Sequence, residues 1–241
     1  MNIRQKEFSK WLKTNQGKRL TALEKVHLEL LLKKIYGSQA LILADPAQAD
    51  LPSTLQVNSA MLIHPSKPRK TSINSFVSAQ YGRLPVASDS MHIALMPHTL
   101  EFVVNPHQVL REVERVLRPE GHVVIVGFNP MSLYGIRRLF SNEGACAGQF
   151  RTLGKVKDWL NLLGFDVVNS NYYKFSRLAE KKSSLMQNIS QWACPIFAGI
   201  YIIIAKKSIL GMTPQKPEWA RSAKFIKKGL VKPASRDICR D

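Results

Sequence analysis

Acid is scarce in this chain. Its 241 residues hold 17 Asp and Glu against 35 Lys and Arg, a formal net charge of +18. Such an excess favours anionic partners in general and does not speak to fold. Residues 51–88 contain no Asp or Glu at all. Cysteine is also scarce: Cys146, Cys194 and Cys239 are odd in number and far apart, and no CxxC pair or Cys/His cluster has metal-ligand spacing. Neither a disulfide framework nor a metal site is expected, and reduced thiols imply a cytoplasmic location. Long hydrophobic runs are missing. Residues 1–20 hold no apolar stretch, so no secretory signal is expected. The most apolar segment, Trp192 to Ala205, has 14 residues, where a bilayer span needs about 20. There is no GxSxG elbow and no internal repeat. What is present is a 45% hydrophobic fraction, enough for a core, which excludes a wholly disordered chain.

Periodicity supplies the elements. Leu20, Leu23, Val26, Leu30, Leu31 and Ile35 recur at helical spacing, which predicts helix over 1–36, stopped by Gly37 in a left-handed conformation. The apolar run Ala40 to Ala44, bounded by Asp45-Pro46, reads as a buried strand. Further strands are expected at Ala60–His64, Asn74–Ala79, Ile93–Met96, His122–Phe128, Phe165–Asn171 and Tyr201–Lys206, with Lys67–Lys70 as a loop. Asn105 and Pro106 start a helix whose Val109, Leu110, Val113, Val116 and Leu117 make one apolar stripe. Pro119-Glu120-Gly121 is expected to end it. Helices are also expected at Met131–Phe140 and Thr152–Leu163, the latter capped by Gly164.

Strands alternating with helices argue for an α/β fold, a Rossmann-like doubly wound and mostly parallel sheet. Ligands bind such sheets outside the carboxyl ends of the strands. The expected organisation is an N-terminal helical extension (1–36), a central domain (37–206) and a basic tail (207–241) carrying Lys224, Lys227, Lys228, Lys232, Arg236 and Arg240. That tail offers a nucleic-acid contact through charge alone.

Three stretches carry a resemblance: Leu84-Pro85-Val86-Ala87-Ser88-Asp89-Ser90 running into Ile93-Ala94-Leu95, then His98-Thr99-Leu100-Glu101-Phe102, then Leu110 to Gly121 with its Leu-Arg-Glu-Val-Glu-Arg-Val-Leu-Arg-Pro-Glu-Gly pattern. Together they resemble the class I S-adenosylmethionine-dependent methyltransferases, in particular the branch called methyltransferase type 11. Ile35-Tyr36-Gly37 and Gly127-Phe128-Asn129-Pro130 are similar to a bacterial subgroup of unassigned substrate. The resemblance implies S-adenosylmethionine as cofactor, a small-molecule substrate, and in-line transfer of the sulfonium methyl to a substrate nucleophile, helped mostly by alignment.

The family's glycine-rich turn after strand one corresponds to Ala44-Asp45-Pro46-Ala47-Gln48, which has no glycine. Pro46 fixes φ and removes an N–H. The acid that takes the ribose hydroxyls at the end of strand two has no counterpart in the acid-free window. The adenine-binding acid, five positions before the proline of Leu84-Pro85, is Gln80. A hydrogen bond to a charged partner is worth about 1.5–3 kcal/mol, so losing two would weaken binding roughly a hundredfold or more.

By the resemblance, the candidate cofactor-binding residues are Ala44, Asp45 (for the ligand's amino group), Gln80, Met96 and His98, with the backbone of Met96 to Thr99 against the adenine. His98 is the candidate catalytic residue, as a base or as a group that orients a nucleophile. Asn129 and Pro130 read equally as pocket lining or an ordinary turn. Tyr172, Tyr173, Phe175 and Trp192 read as core rather than as an aromatic wall. The alternatives are a degenerate methyltransferase fold that binds without transferring methyl groups, and a basic RNA-associated protein.

Overall fold

The computed structural model describes residues 3–33, 35–48, 50–66, 75–132, 147–174 and 198–208. The Lys67–Lys70 loop, nearly all of the helix expected at Met131–Phe140, the three cysteines, Phe175, Trp192 and the basic residues beyond Ser208 lie outside them.

Seven strands form one sheet: β1 (Tyr36–Leu43), β2 (Gln56–His64), β3 (Ser75–Ser78), β4 (Met91–Pro97), β5 (Leu117–Phe128), β6 (Phe165–Lys174) and β7 (Ala198–Lys207). Their order is β3-β2-β1-β4-β5-β7-β6. All neighbours from β3 to β5 are parallel, and β7 runs antiparallel to both β5 and β6. The expected Rossmann-like α/β class is therefore what the chain adopts. The strand order reverses between β1 and β4, which places the ligand crevice at their carboxyl ends.

Two cores sandwich the sheet. Ala40 and Ile42 of β1 turn to one face, with Ile93 and Leu95 of β4, and pack against α1 (Ile3–Leu12) and α2 (Asn15–Leu32). Leu41, Leu43, Ala94 and Met96 turn to the other, against α4 (Pro106–Val116) and α5 (Leu153–Leu162). Between β4 and α4 lies a single turn, α3 (Thr99–Phe102). The described residues fall in one compact unit that includes both N-terminal helices. Among them no helix is long and apolar enough to cross a membrane.

Helix α4 forms for the expected reasons. The Asn105 side chain accepts from Gln108 N, Pro106 occupies the first turn, and Val109, Leu110, Val113 and Val116 are buried. Burying each such side chain stabilises by about 1.5–3 kcal/mol. Helix α5 is capped by Thr152, which accepts from Lys155 N, and the chain leaves it through Gly164 at φ 77°.

Four expectations are corrected. Helix α2 ends at Leu32, and Gly37 lies inside β1. A Cβ at Gly37 would stand 2.8 Å from the His92 Cβ, so glycine serves a close approach between strands rather than a left-handed cap. The buried row of α2 is Leu20, Glu24, Leu28 and Leu32, whereas Val26 and Leu30 are 53% and 61% exposed. The spacing predicted a helix but turned the wrong face inward, because the inner row contains an acid. Finally, β5 starts at Leu117 directly after α4 and carries Pro119-Glu120-Gly121 within it, Glu120 taking φ 66°. Lys207, expected to open the basic tail, ends β7: its Nζ donates to the carbonyls of Glu114 and Leu117 and pairs with Asp89 and Glu114.

Candidate functional site

The crossover from β1 to β2 builds one wall of the crevice. Parallel strands are normally joined through a helix. Here residues 44–55 make two short 3-10 turns, Pro46–Gln48 and Leu51–Thr54. No α-helix N-terminus points into the crevice from this side. Asp45 instead folds back on its own turn, its Oδ1 accepting from Ala47 N at 2.8 Å. Its Oδ2 accepts from the Ser9 hydroxyl of α1 and lies 3.8 Å from His64 Nε2, at the end of β2. A carboxylate from the turn after β1 therefore lies beside the end of β2. His64 is buried, with Nδ1 against the carbonyl and amide of Ser66 at 3.0 and 3.1 Å. Tyr81 donates to the Ala44 carbonyl at 3.3 Å. Burial, with the Asp45 charge beside it, pushes its phenol well above the ordinary range, so it stays a neutral donor.

The turn after β4 builds the other wall. His98 has φ 54°, a left-handed conformation that costs a residue with a Cβ about 1–2 kcal/mol. Its ring is 1% exposed and lies between two carboxylates: Nε2 is 2.5 Å from Glu24 Oε1, and Nδ1 is 3.1 Å from Glu101 Oε2. The ring stacks on Phe128 at 4.1 Å and meets the edge of Phe8 at 5.7 Å. Burial by itself would lower the histidine's pKa. The two carboxylates outweigh it and hold the value at about 10, so the ring is an imidazolium at neutral pH. Burial raises the Glu101 pKa, although His98 and the Phe128 amide both favour its ionised form. Thr99 closes the turn by donating its hydroxyl to the Leu43 carbonyl across the switch point.

A cleft of about 280 Å³, its open mouth included, lies between these walls. Asp45, His64, Tyr81 and His98 reach it, and Gln5 and Phe8 of α1 roof it. Phe8 is fixed there by stacking on Phe102 at 4.1 Å.

The sequence candidates divide. Asp45 and His98 both line the cleft, whereas Ala44 does not; its carbonyl accepts from Tyr81, which does. Met96 is buried in the core on the α4 side, and Gln80 is exposed, its carbonyl accepting from Arg83 N. Neither lines the cleft. In this geometry His98 has no ring nitrogen free to take a proton. Asn129 is buried at the end of β5, where its Oδ1 accepts from Met131 N. Tyr172 is 43% exposed, and Tyr173 packs on His27 at 4.4 Å.

Sequence reasoning missed Glu24, Phe8 and His64. The only signal for Glu24 was its place in a row of leucines four residues apart. For His64 it was being the last residue of a strand.

The donor set suits a nucleoside, since Asp45 can accept from hydroxyl or amino groups and His64 stands beside it. The room does not, with α1 in place: the enclosed space admits little more than a single water molecule. No buried cluster of His, Cys, Asp and Glu among the described residues could hold a metal ion.

A family model described as a methyltransferase domain matches residues 36–125, from the start of β1 almost to the end of β5. The chain is 29% identical over 157 residues to an uncharacterized protein of Escherichia coli, YafS, covering 64% of each chain. It is 26% identical over 162 residues to the demethylmenaquinone methyltransferase of Chlamydia muridarum, covering 66% of this chain and 62% of that one. Each match spans less than two thirds of the relative's own length. In fold, the chain is similar to an S-adenosylmethionine-dependent methyltransferase of Thermotoga maritima, with TM-score 0.61 at 20% identity over 84% of this chain and 95% of that one. Residues 36–125 thus match the methyltransferase-domain model, and the chain adopts the fold of the class I S-adenosylmethionine-dependent methyltransferases.

Proposed function

We propose that the protein is an S-adenosylmethionine-dependent methyltransferase acting on a small molecule. One observation carries this reading. The segment that matches the family model contains both walls of the crevice, and a cleft with a carboxylate, an imidazole and a phenol opens at the switch point between them. The relative from Chlamydia, named for a small-molecule acceptor, supports the substrate class.

Only with α1 moved aside would Asp45 and His64 meet the sugar or amino groups of the cofactor, with the backbone from Met96 to Thr99 beside its base. When bound, the cofactor supplies a methyl group already activated by the sulfonium. The chain's own part is then to bind, align and keep water out. Phe8 and Phe102 provide the apolar cover, and no side chain has to act as a nucleophile.

A second reading, a family member that binds a ligand without transferring methyl groups, is favoured by the absence of a helix after β1 and by the Thr99–Leu43 closure of the switch point. Calorimetric titration separates the two. Binding of S-adenosylmethionine in the micromolar range, with methyl transfer to a small-molecule panel, is the expected result. No heat at millimolar cofactor would sink methyl transfer and leave the second reading.

A further inference from the structure

Helix α2 lies outside the segment that matches the family, yet its Glu24 reaches both loops that border the crevice. One carboxylate oxygen holds His98 Nε2 at 2.5 Å, in the turn after β4. The other accepts from Gln48 Nε2 at 3.4 Å, in the turn after β1. Glu24 and Gln48 are fully buried, and the Gln48 Oε1 has no partner among the described residues. A carboxylate is left in such a place only when its partners hold it there, because removing an ionised group from water is costly.

The two turns are also joined through their strands, where the Thr99 hydroxyl donates to the Leu43 carbonyl. The β1 turn has neither glycines nor a helix to fix it. The β4 turn adopts a left-handed residue that carries a side chain, a conformation that persists only where the surroundings impose it. His98 N donates to the Val126 carbonyl at 2.8 Å, and Thr99 next to it closes on Leu43. The ring beneath, anchored at both nitrogens, selects that conformation.

We infer that Glu24 is a positioning residue of the crevice: from the N-terminal extension it pins His98 and Gln48, and so sets the spacing of the two loops between which a ligand must fit. The geometry of this inference is independent of the proposed activity. Its ligand, a nucleoside of the S-adenosylmethionine type, rests on that reading. The groups facing the His98 ring are Glu24 from α2, Glu101 from α3, and the rings of Phe128 from β5 and Phe8 from α1. Asp45 and His64 stand across the cleft. Two carboxylates against one imidazole favour the protonated ring, and losing one carboxylate weakens that preference.

The test uses the full chain with isotope-labelled histidine. In the wild type, the His98 ring should stay protonated to about pH 9. Glu24→Gln, which keeps the shape and removes the charge, should lower its midpoint by about 1–3 pH units. The same variant should bind S-adenosylhomocysteine about tenfold more weakly at pH 9 than at pH 6, whereas the wild type shows no such dependence. Glu24→Asp should restore part of both effects. A wild-type His98 that titrates near its ordinary value overturns the inference even if every variant fails to fold. So does a Glu24→Gln protein with unchanged midpoint and affinity. A wild type that takes up no nucleoside, while the His98 midpoint falls as expected in Glu24→Gln, sinks the methyltransferase reading and upholds the positioning role.

Discussion

Two crossovers in this sheet do the same topological job with opposite means. Residues 44–55 carry the chain from β1 to its parallel neighbour β2, and residues 98–116 carry it from β4 to its parallel neighbour β5. The helical part of the second is coded locally. Asn105 caps α4, Pro106 sets its first turn, and four apolar residues at helical spacing bury one face. The first crossover has a smaller local code, Asp45 on Ala47 N and the Ser53 hydroxyl on the Asp50 carbonyl, and leans more on distant partners. It is held by Ser9 from α1, by Glu24 from α2 through Gln48, and by Tyr81 on the Ala44 carbonyl. A loop fixed from outside can lose its own sequence signature and still keep a shape, and it is this loop that borders the cleft.

The largest test of the contrast is pH. The His98 pKa is raised to about 10 from the ordinary 6.5, so the stability it brings to the crevice is complete below about 6.5 and is lost as pH rises through about 10. Urea unfolding midpoints should fall over that range, and a His98→Gln protein should lack the slope. Next is Leu110→Ala, which should cost about 2–5 kcal/mol by the cavity it leaves under α4, read as a drop in thermal midpoint. Asn105→Ala should cost about 1 kcal/mol for the lost cap, measured by urea unfolding. Pro46→Gly should cost only about 0.4–1 kcal/mol, through the freer unfolded chain. A loss well above that from Pro46→Gly would break the contrast, because the first crossover would then depend on its own sequence. Smallest is Gln80→Leu, expected within about 0.5 kcal/mol of wild type and with unchanged nucleoside affinity by calorimetry, since Gln80 is exposed and away from the cleft. A clear loss of affinity would return the adenine to Gln80.

The same contrast explains what could be read in the sequence. Elements whose cause is local were legible: the α4 stripe, the Asn105-Pro106 start, the helix beginning near Thr152, the exit at Gly164, and with them the α/β class. Elements whose cause lies far along the chain were not. Nothing near Glu24 signals that His98, 74 residues later, will meet it. Gly37 looked like a helix stop because its actual reason, the approach of His92, comes from another strand. Asp45 and His98 were legible as cleft residues only through the family resemblance. The partners that engage them, Ser9 and Glu24, come from the extension, where the resemblance is silent. Hydrophobic spacing located α2 but not its inner face, since an acid there breaks the apolar row.

Strand β7 gives the architecture a temporal side. It fills the gap between β5 and β6, although both precede it in the chain. During synthesis, those two strands must wait with bare backbone edges facing each other until residues 198–207 leave the ribosome, and bare edges invite pairing with other chains. Lys207, whose ammonium reaches Asp89, Glu114 and Leu117, is then the last stitch. The sheet behaves as a garment fastened from its final seam, and a nascent chain stopped short of that seam is the form of this protein most in need of a chaperone.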